Sequence, residues 1–500
     1  MNKVFKPDLV IKGKSIMSLT EKTIKNLGTV GLLEILGKLI NSVTLLILAR
    51  LLLPSDFGIV AVAGILIAIV DRFKDFGLSN AVIQTQEKFE ESLQTGFILR
   101  SAAGIFLFCI IFIIAPFWAN FFNDQAITPV LRILAIVLIL ENFRFFPETK
   151  LSKTLKFRTI RTSTIIGNVS YSLVAIALAY SGYSFWSIVY GRITQSLTSI
   201  IYYQIKSPWK PQLQYDTKIA KHLLSYGKFV FGTALMYLLA DNLNSVVLGR
   251  ILGPTVLGYY FIAYSWATLS AREVVVIVDR VLFPTYSTIK SDITRVGNAY
   301  LKTLKFSSMV SIPINFGMFA LAPEFVYLFI GEKWAPSIVP LQILCILGLF
   351  YSINSSTLAI YYSMGAPKIA TTLTALQLIF MIIFVLPAAN FFGLIGAASL
   401  ASLSMVIITP FNFTFAGRLL KIEGTRFIRV LIPPIFSAIL MTISIFAIKE
   451  YTSIFSAYRI IYLLFLVTSG FIIYILFLFI FTKGKLIEDF RMLASNLKSR

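Results

Sequence analysis

Of 500 residues, 57% are apolar and only 14% charged, whereas a water-soluble chain needs about a quarter of its residues charged to cover its surface. The net charge of +22 would suggest nucleic acid on a soluble chain. Here the basic residues fall between long apolar runs, where they report membrane topology instead. Two cysteines, both inside apolar runs, and one histidine exclude a disulfide framework and Cys- or His-rich metal sites.

Residues 1–28 are polar and basic, without the short apolar core of a signal peptide. They read as a cytoplasmic tail or a short interfacial helix. Apolar runs of spanning length follow. The first six cover 29–53, 57–83, 92–115, 128–147, 161–181 and 184–205. Eight more cover 219–251, 256–283, 296–322, 337–363, 369–390, 393–417, 427–449 and 459–482. Each is expected to be a helix, which satisfies its own backbone inside lipid. The alternation of a β-barrel is absent. The expectation is an all-α integral membrane protein of about 14 transmembrane helices.

Orientation follows from Lys and Arg. With the N-terminus inside, 36 of the 45 fall in inner segments and 5 in outer ones. The positive-inside rule then puts both termini in the cytoplasm. The outer loops are short and leave no room for an external catalytic domain.

An internal repeat organises the runs. Leu48-Ala-Arg-Leu-Leu-Leu-Pro-Ser-Asp-Phe-Gly58 matches Leu248-Gly-Arg-Ile-Leu-Gly-Pro-Thr-Val-Leu-Gly258, and Arg72 falls on Arg272 at the same offset of 200 residues. Six runs separate the copies, so both have the same orientation and the repeat is parallel. The domains read as an N-lobe (29–205), a cytoplasmic linker (206–218), a C-lobe (219–417), an added helix pair (427–482) and a cytoplasmic tail (483–500). A transport cavity would lie between the lobes. Gly13-Lys14-Ser15 lacks the first glycine of a phosphate loop and a preceding strand, so no nucleotide site is read from it.

Charges inside membrane helices are costly and mark function or a buried pair. At about 1.5 Å per residue, Glu34, Lys38, Arg72, Glu141 and Arg272 lie roughly 18–24 Å below the outer edge. With Asp241 and Glu273 they are the candidate cavity-lining, substrate-binding residues. Each has a plainer reading: Glu34 and Lys38 can neutralise each other, Arg72 can reach Asp75, and Glu273 can pair with a neighbouring helix. Asp241, beside Asn242 and Asn244, suits a polar cavity wall. Arg50 and Arg250 end their helices at the outer surface, where snorkelling is the simplest role.

The motif at 48–58, followed by Phe73-Lys-Asp-Phe-Gly-Leu-Ser-Asn-Ala-Val-Ile-Gln84, resembles the polysaccharide transporter family. That family lies within the multidrug/oligosaccharidyl-lipid/polysaccharide exporter superfamily. Val247-Leu-Gly-Arg-Ile-Leu-Gly-Pro-Thr-Val-Leu-Gly-Tyr-Tyr260 is similar to the helix seven–eight junction of the colanic-acid and teichuronic-acid exporter type. The resemblance implies a flippase in a bacterial cytoplasmic membrane. It would move an undecaprenyl-pyrophosphate-linked oligosaccharide unit by alternating access, without cofactor or metal and without enzymatic chemistry. Membrane lipids, a polysaccharide polymerase and chain-length machinery are the implied partners; nucleic acid is not. Where such proteins often carry Asn-x-Asp in helix seven, this chain has Asn242-Leu243-Asn244, with its carboxylate at Asp241. The alternatives are a cation-coupled multidrug exporter of the same superfamily and, from another class, a membrane glycosyltransferase or polymerase.

Overall fold

A computed structural model describes residues 15–85, 88–209, 212, 214–269, 292–452 and 459–482. Their regular structure is helical throughout, in fourteen α-helices joined by short turns. Eight helical stretches are long and apolar enough to cross a membrane by length and composition.

The first lobe contains α1 (Ser15–Leu51), α2 (Pro54–Asp75), α3 (Leu78–Gln84), α4 (Phe89–Phe121), α5 (Ile127–Lys153), α6 (Phe157–Tyr180) and α7 (Trp186–Lys206). The chain turns between α1 and α2 because Pro54 starts the new helix and the Asp56 carboxylate accepts the Leu53 N–H at 2.8 Å. That carboxylate also accepts the Ser184 hydroxyl, which ties the start of α7 to α2.

The second lobe contains α8 (Thr217–Ile251), α9 (Gly253–Ala267), α10 (Ile293–Phe325), α11 (Ile338–Ser363) and α12 (Pro367–Leu420). A π-turn (Val326–Ile330) and a 3-10 turn (Glu332–Ser337) join α10 to α11. Two added helices, α13 (Gly424–Thr452) and α14 (Arg459–Phe481), pack against α10.

Two breaks bear on the runs read in the sequence. The run at 57–83 is not one helix: Phe76 (φ 41°) and Gly77 (φ 73°) take the left-handed conformation and separate α2 from α3. The second agrees with the reading: the runs at 369–390 and 393–417 are two helical arms of α12 that meet at a kink at Gly393, whose φ of 57° and ψ of −136° suit only glycine. The repeat is visible in the helices themselves: α4 and α10 are both 33 residues long and occupy the same place in their lobes.

The largest core crosses the lobe boundary at the end of the bundle that carries the repeat motifs. Leu48, Phe57 and Val62 share it with Leu248, Leu257, Tyr260 and Trp334. Here α2 and α9 approach backbone to backbone: a Cβ added at Gly58 would overlap the Pro254 carbonyl, and one at Gly258 the Pro54 carbonyl. At the opposite end α8 crosses to the first lobe, where Leu223 joins Leu78, Val82, Leu93 and Phe145. The linker before α8 is held there too. Trp209 stacks on Phe146 with ring centroids 4.1 Å apart, and the N–H of Asp216 donates to the Thr95 hydroxyl. Asp216 then caps α8. The N–H groups of Ile219 and Lys218 donate to its carboxylate and hold it below the usual carboxylate range.

Candidate transport site

In the first lobe, helix pairing buries charge. Lys74 sits on the inward face of α2 with no exposed side-chain surface; its ammonium lies 2.8 Å from Asp71 and donates to the Leu138 carbonyl at 3.1 Å. One turn on, Asp75 accepts from Arg100 of α4 and from Ser79, while the Arg100 guanidinium lies over the Phe145 ring at 5.2 Å. On α5, Arg144 bridges Glu141 at 2.9 Å and Glu148 at 3.3 Å, and the Ser196 hydroxyl of α7 approaches Glu141. A buried charge is tolerated only when paired in this way. On the far side of the lobe, Glu34 of α1 lies 3.8 Å from Lys38 and 3.7 Å from Arg161 of α6.

The second lobe encloses different chemistry. A cavity of about 120 Å³ lies among α8, α11 and α12, lined by Tyr237, Asp241, Asn354, Tyr361, Gln377 and Asn412. Its polar groups are mostly neutral and largely engaged. Asn354 donates to the Thr409 hydroxyl at 2.7 Å, Gln377 to Ser404, and Tyr361 to the Asn412 carbonyl at 2.9 Å. Such walls offer oriented dipoles with one carboxylate, Asp241, among them.

A second, larger cavity of about 1220 Å³ runs between α10 and the added helices α13 and α14. Its walls are almost wholly apolar, including Met309, Met318, Met441, Leu463, Phe471 and Tyr474. The Tyr474 hydroxyl does not face into it unpaired, since it donates to the Met309 carbonyl at 2.9 Å. Lys449 anchors α13 by pairing with Glu324 at 2.6 Å and donating to the Ala320 carbonyl. Exposed Leu464, Phe471 and Ile475 put one side of this groove at the outer surface of the bundle.

Residues 47–339, more than half of the chain, match the family described as "Polysaccharide biosynthesis protein". The chain belongs to this family. Among its curated relatives, the lipopolysaccharide biosynthesis protein WzxC of Escherichia coli (strain K12) is 27% identical over 349 residues, 68% of this chain and 69% of the relative. The teichuronic acid biosynthesis protein TuaB of Bacillus subtilis (strain 168) is 25% identical over 429 residues, 84% and 88% of the two chains. Among solved structures, the lipid II flippase MurJ in an inward closed conformation superposes with a TM-score of 0.72 at 17% identity, covering 91% of this chain and 98% of that one. A multidrug resistance MATE family transporter in an inward-facing conformation gives 0.59 at 15% identity, covering 78% and 96%. These likenesses establish the fold, and with the apolar helices they make this polysaccharide biosynthesis protein a multi-pass membrane protein.

Of the candidate residues read from its sequence, the structure places Glu34 and Lys38 together on α1 with Arg161, and Glu141 on α5 with Arg144. Asp241 lines the neutral cavity of the other lobe. Arg72 is exposed near the α2–α8 contact, where Phe73 packs edge-on against Phe231 of α8 with centroids 4.9 Å apart. Asp75, a possible partner for Arg72 on its own helix, is paired with Arg100. Arg272 and Glu273 lie outside the described residues. Sequence reading passed over Lys74, Arg100 and Arg144, which were counted among the cytoplasmic loop cations. A usable signal existed for Lys74, three residues after Asp71 on one helical face.

Proposed function

We propose that this protein is a flippase that carries a lipid-linked glycan unit from the cytoplasmic to the outer leaflet, with its motif-bearing end outward and both termini in the cytoplasm. The apolar groove beside α10, α13 and α14 carries the reading. A transporter of water-soluble cargo has no use for a cavity of about 1220 Å³ with almost no polar surface that opens toward lipid. A polyprenyl chain is matched to it, since each methylene moved between lipid and an apolar wall changes the free energy little, while the head group travels between the lobes. The relatives are named for lipopolysaccharide and teichuronic acid biosynthesis, and MurJ for lipid II. All of these assemblies involve glycans, and MurJ supplies the same body with a lipid-linked substrate.

The head of such a substrate is a phosphate ester, for which Arg is the matched cation because it donates two parallel hydrogen bonds. Arg72, with Asp75 engaged elsewhere, is the proposed contact on the first lobe, and Arg272 its counterpart by repeat position. The sugars would meet the neutral dipoles near Asp241 rather than fixed charges. Loss of the protein in its host should leave a complete lipid-linked unit accumulating at the inner leaflet with no surface polymer. A truncated unit in that strain would instead mark a glycosyltransferase.

A further inference from the structure

We infer that the two copies of the repeated motif form a reciprocal latch that holds the lobes shut at one end, and that export requires this latch to open. The inference rests on the two-lobe transporter reading and adds the residues that hold one of its states. Each copy reaches across to the other lobe. Arg50, at the end of α1, donates to the Leu328 carbonyl just beyond α10 at 2.9 Å. Arg250, at the end of α8, donates to the Phe121 carbonyl that ends α4 at 2.6 Å, with its guanidinium 5.1 Å over the Phe121 ring. By repeat position α4 and α10 correspond, so the two arginines make similar contacts, one to the last residue of α4 and the other to the turn three residues beyond the end of α10. Both guanidinium groups are exposed at helix ends, as the sequence suggests, and each also binds across to the other lobe. The motif glycines repeat the same logic: Gly58 admits the Pro254 carbonyl and Gly258 admits that of Pro54. Arg, Pro and Gly are the three non-leucine identities of the motif, and all three meet the opposite lobe.

The acceptors explain why the latch can release. The arginines bind backbone carbonyls rather than carboxylates, and so does Lys333 of the second lobe, which donates to the Arg50 and Leu52 carbonyls at 2.8 and 2.6 Å. Carbonyls at a helix end lack intrahelical partners and are readily taken over by water. Opening toward an aqueous face therefore lets water replace the arginines at these acceptors, while the buried Trp334 Nε1 to Ala49 carbonyl bond and the shared apolar core at the same end must part with them. Among the described residues the opposite end is built differently: α8 crosses to the first lobe, while α1 packs on α6 of its own lobe.

The test is a distance measurement on the full chain in lipid, without substrate, so it stands or falls independently of the flippase assignment. Spin labels are placed at Asn123→Cys and Phe391→Cys, exposed positions at the motif-bearing end of either lobe, in a Cys109→Ala, Cys345→Ala background. Pulsed electron resonance should show one short distance. Arg50→Ala with Arg250→Ala should add a longer population, the closed-to-open ratio falling about tenfold for each arginine, and Gly258→Ala should do the same by separating α2 from α9. Lys150→Ala, which breaks the ion pair with Glu90 at the opposite end of the bundle, should leave the distribution unchanged. An unaltered distribution in the double arginine variant, or an equal broadening with Lys150→Ala, would overturn the latch.

Discussion

In α4 of the first lobe, Arg100 is buried against Asp75; in the same register of α10 in the second lobe stands Leu304, fully enclosed by apolar neighbours. The two lobes share one motif where they touch, at Arg50, Pro54 and Gly58 and at Arg250, Pro254 and Gly258. Their interiors have parted. The first is braced by ion pairs around Lys74, Arg100 and Arg144, whereas the second holds neutral amides and phenols around a small cavity, with an apolar groove behind it. Contact surfaces are constrained twice, once by each lobe, so substitution there is penalised from both sides. An interior answers only to its own packing and can diverge, here into a half crossed by ion pairs and a half that encloses a cavity.

The largest effect that sharpens this contrast should come from unpairing a charge in the first lobe. Arg100→Leu, which writes the second lobe's residue into the first, leaves half-buried Asp75 without its cation and should cost about 2–3 kcal/mol, read from thermal unfolding in detergent. Adding Asp75→Ala should recover most of it, because removing both partners of a buried pair is often close to neutral. If Arg100→Leu alone is silent, the first lobe is not braced by these pairs. Behind the second lobe, filling the groove with Val467→Trp on α14 should leave unfolding nearly unchanged and slow lipid-linked transport about tenfold, a barrier change of about 1.4 kcal/mol.

Much of this architecture was legible in the sequence because a bilayer enforces it. Every spanning segment must be helical and long, so apolar runs mark helices even where Pro116, Pro147 and Pro313 lie inside them. The break near Gly393 was legible as a gap between two runs, though not its positive φ. The break at Phe76–Gly77 was not, because its flanks, Phe73 and Leu78, keep the run apolar. The charge pairs escaped for a related reason: Asp75 and Arg100 are 25 residues apart, and cations near run ends are indistinguishable from loop cations until the helices are seen to extend past them. The latch left no signal of its own, since Arg50 binds a backbone carbonyl 278 residues away and any residue can supply a carbonyl.

Smaller effects refine the second lobe and its entry. Asn354→Ala should cost about 1 kcal/mol by removing donors from Thr409 and the Phe350 carbonyl, again in detergent unfolding. If the loss instead matches that of Arg100→Leu, the cavity is as rigid as the charged lobe and the contrast fails. The smallest is expected at Asp216, whose folded carboxyl titrates below its unfolded value. Its stabilisation of the α8 start is complete above the ordinary carboxylate range and fades as pH falls through the folded value. Asp216→Asn keeps a capping acceptor and should flatten that acid limb without moving neutral-pH stability.

Transport itself is decided in reconstituted vesicles. With an undecaprenyl-pyrophosphate-linked oligosaccharide loaded into one leaflet, the protein should make the glycan accessible to a lectin or glycosidase on the other side. The lipid-linked unit should be recovered chemically unchanged, and Val467→Trp should slow its appearance about tenfold. No gain in accessibility over protein-free vesicles, or recovery of a longer or shorter glycan, would contradict the account.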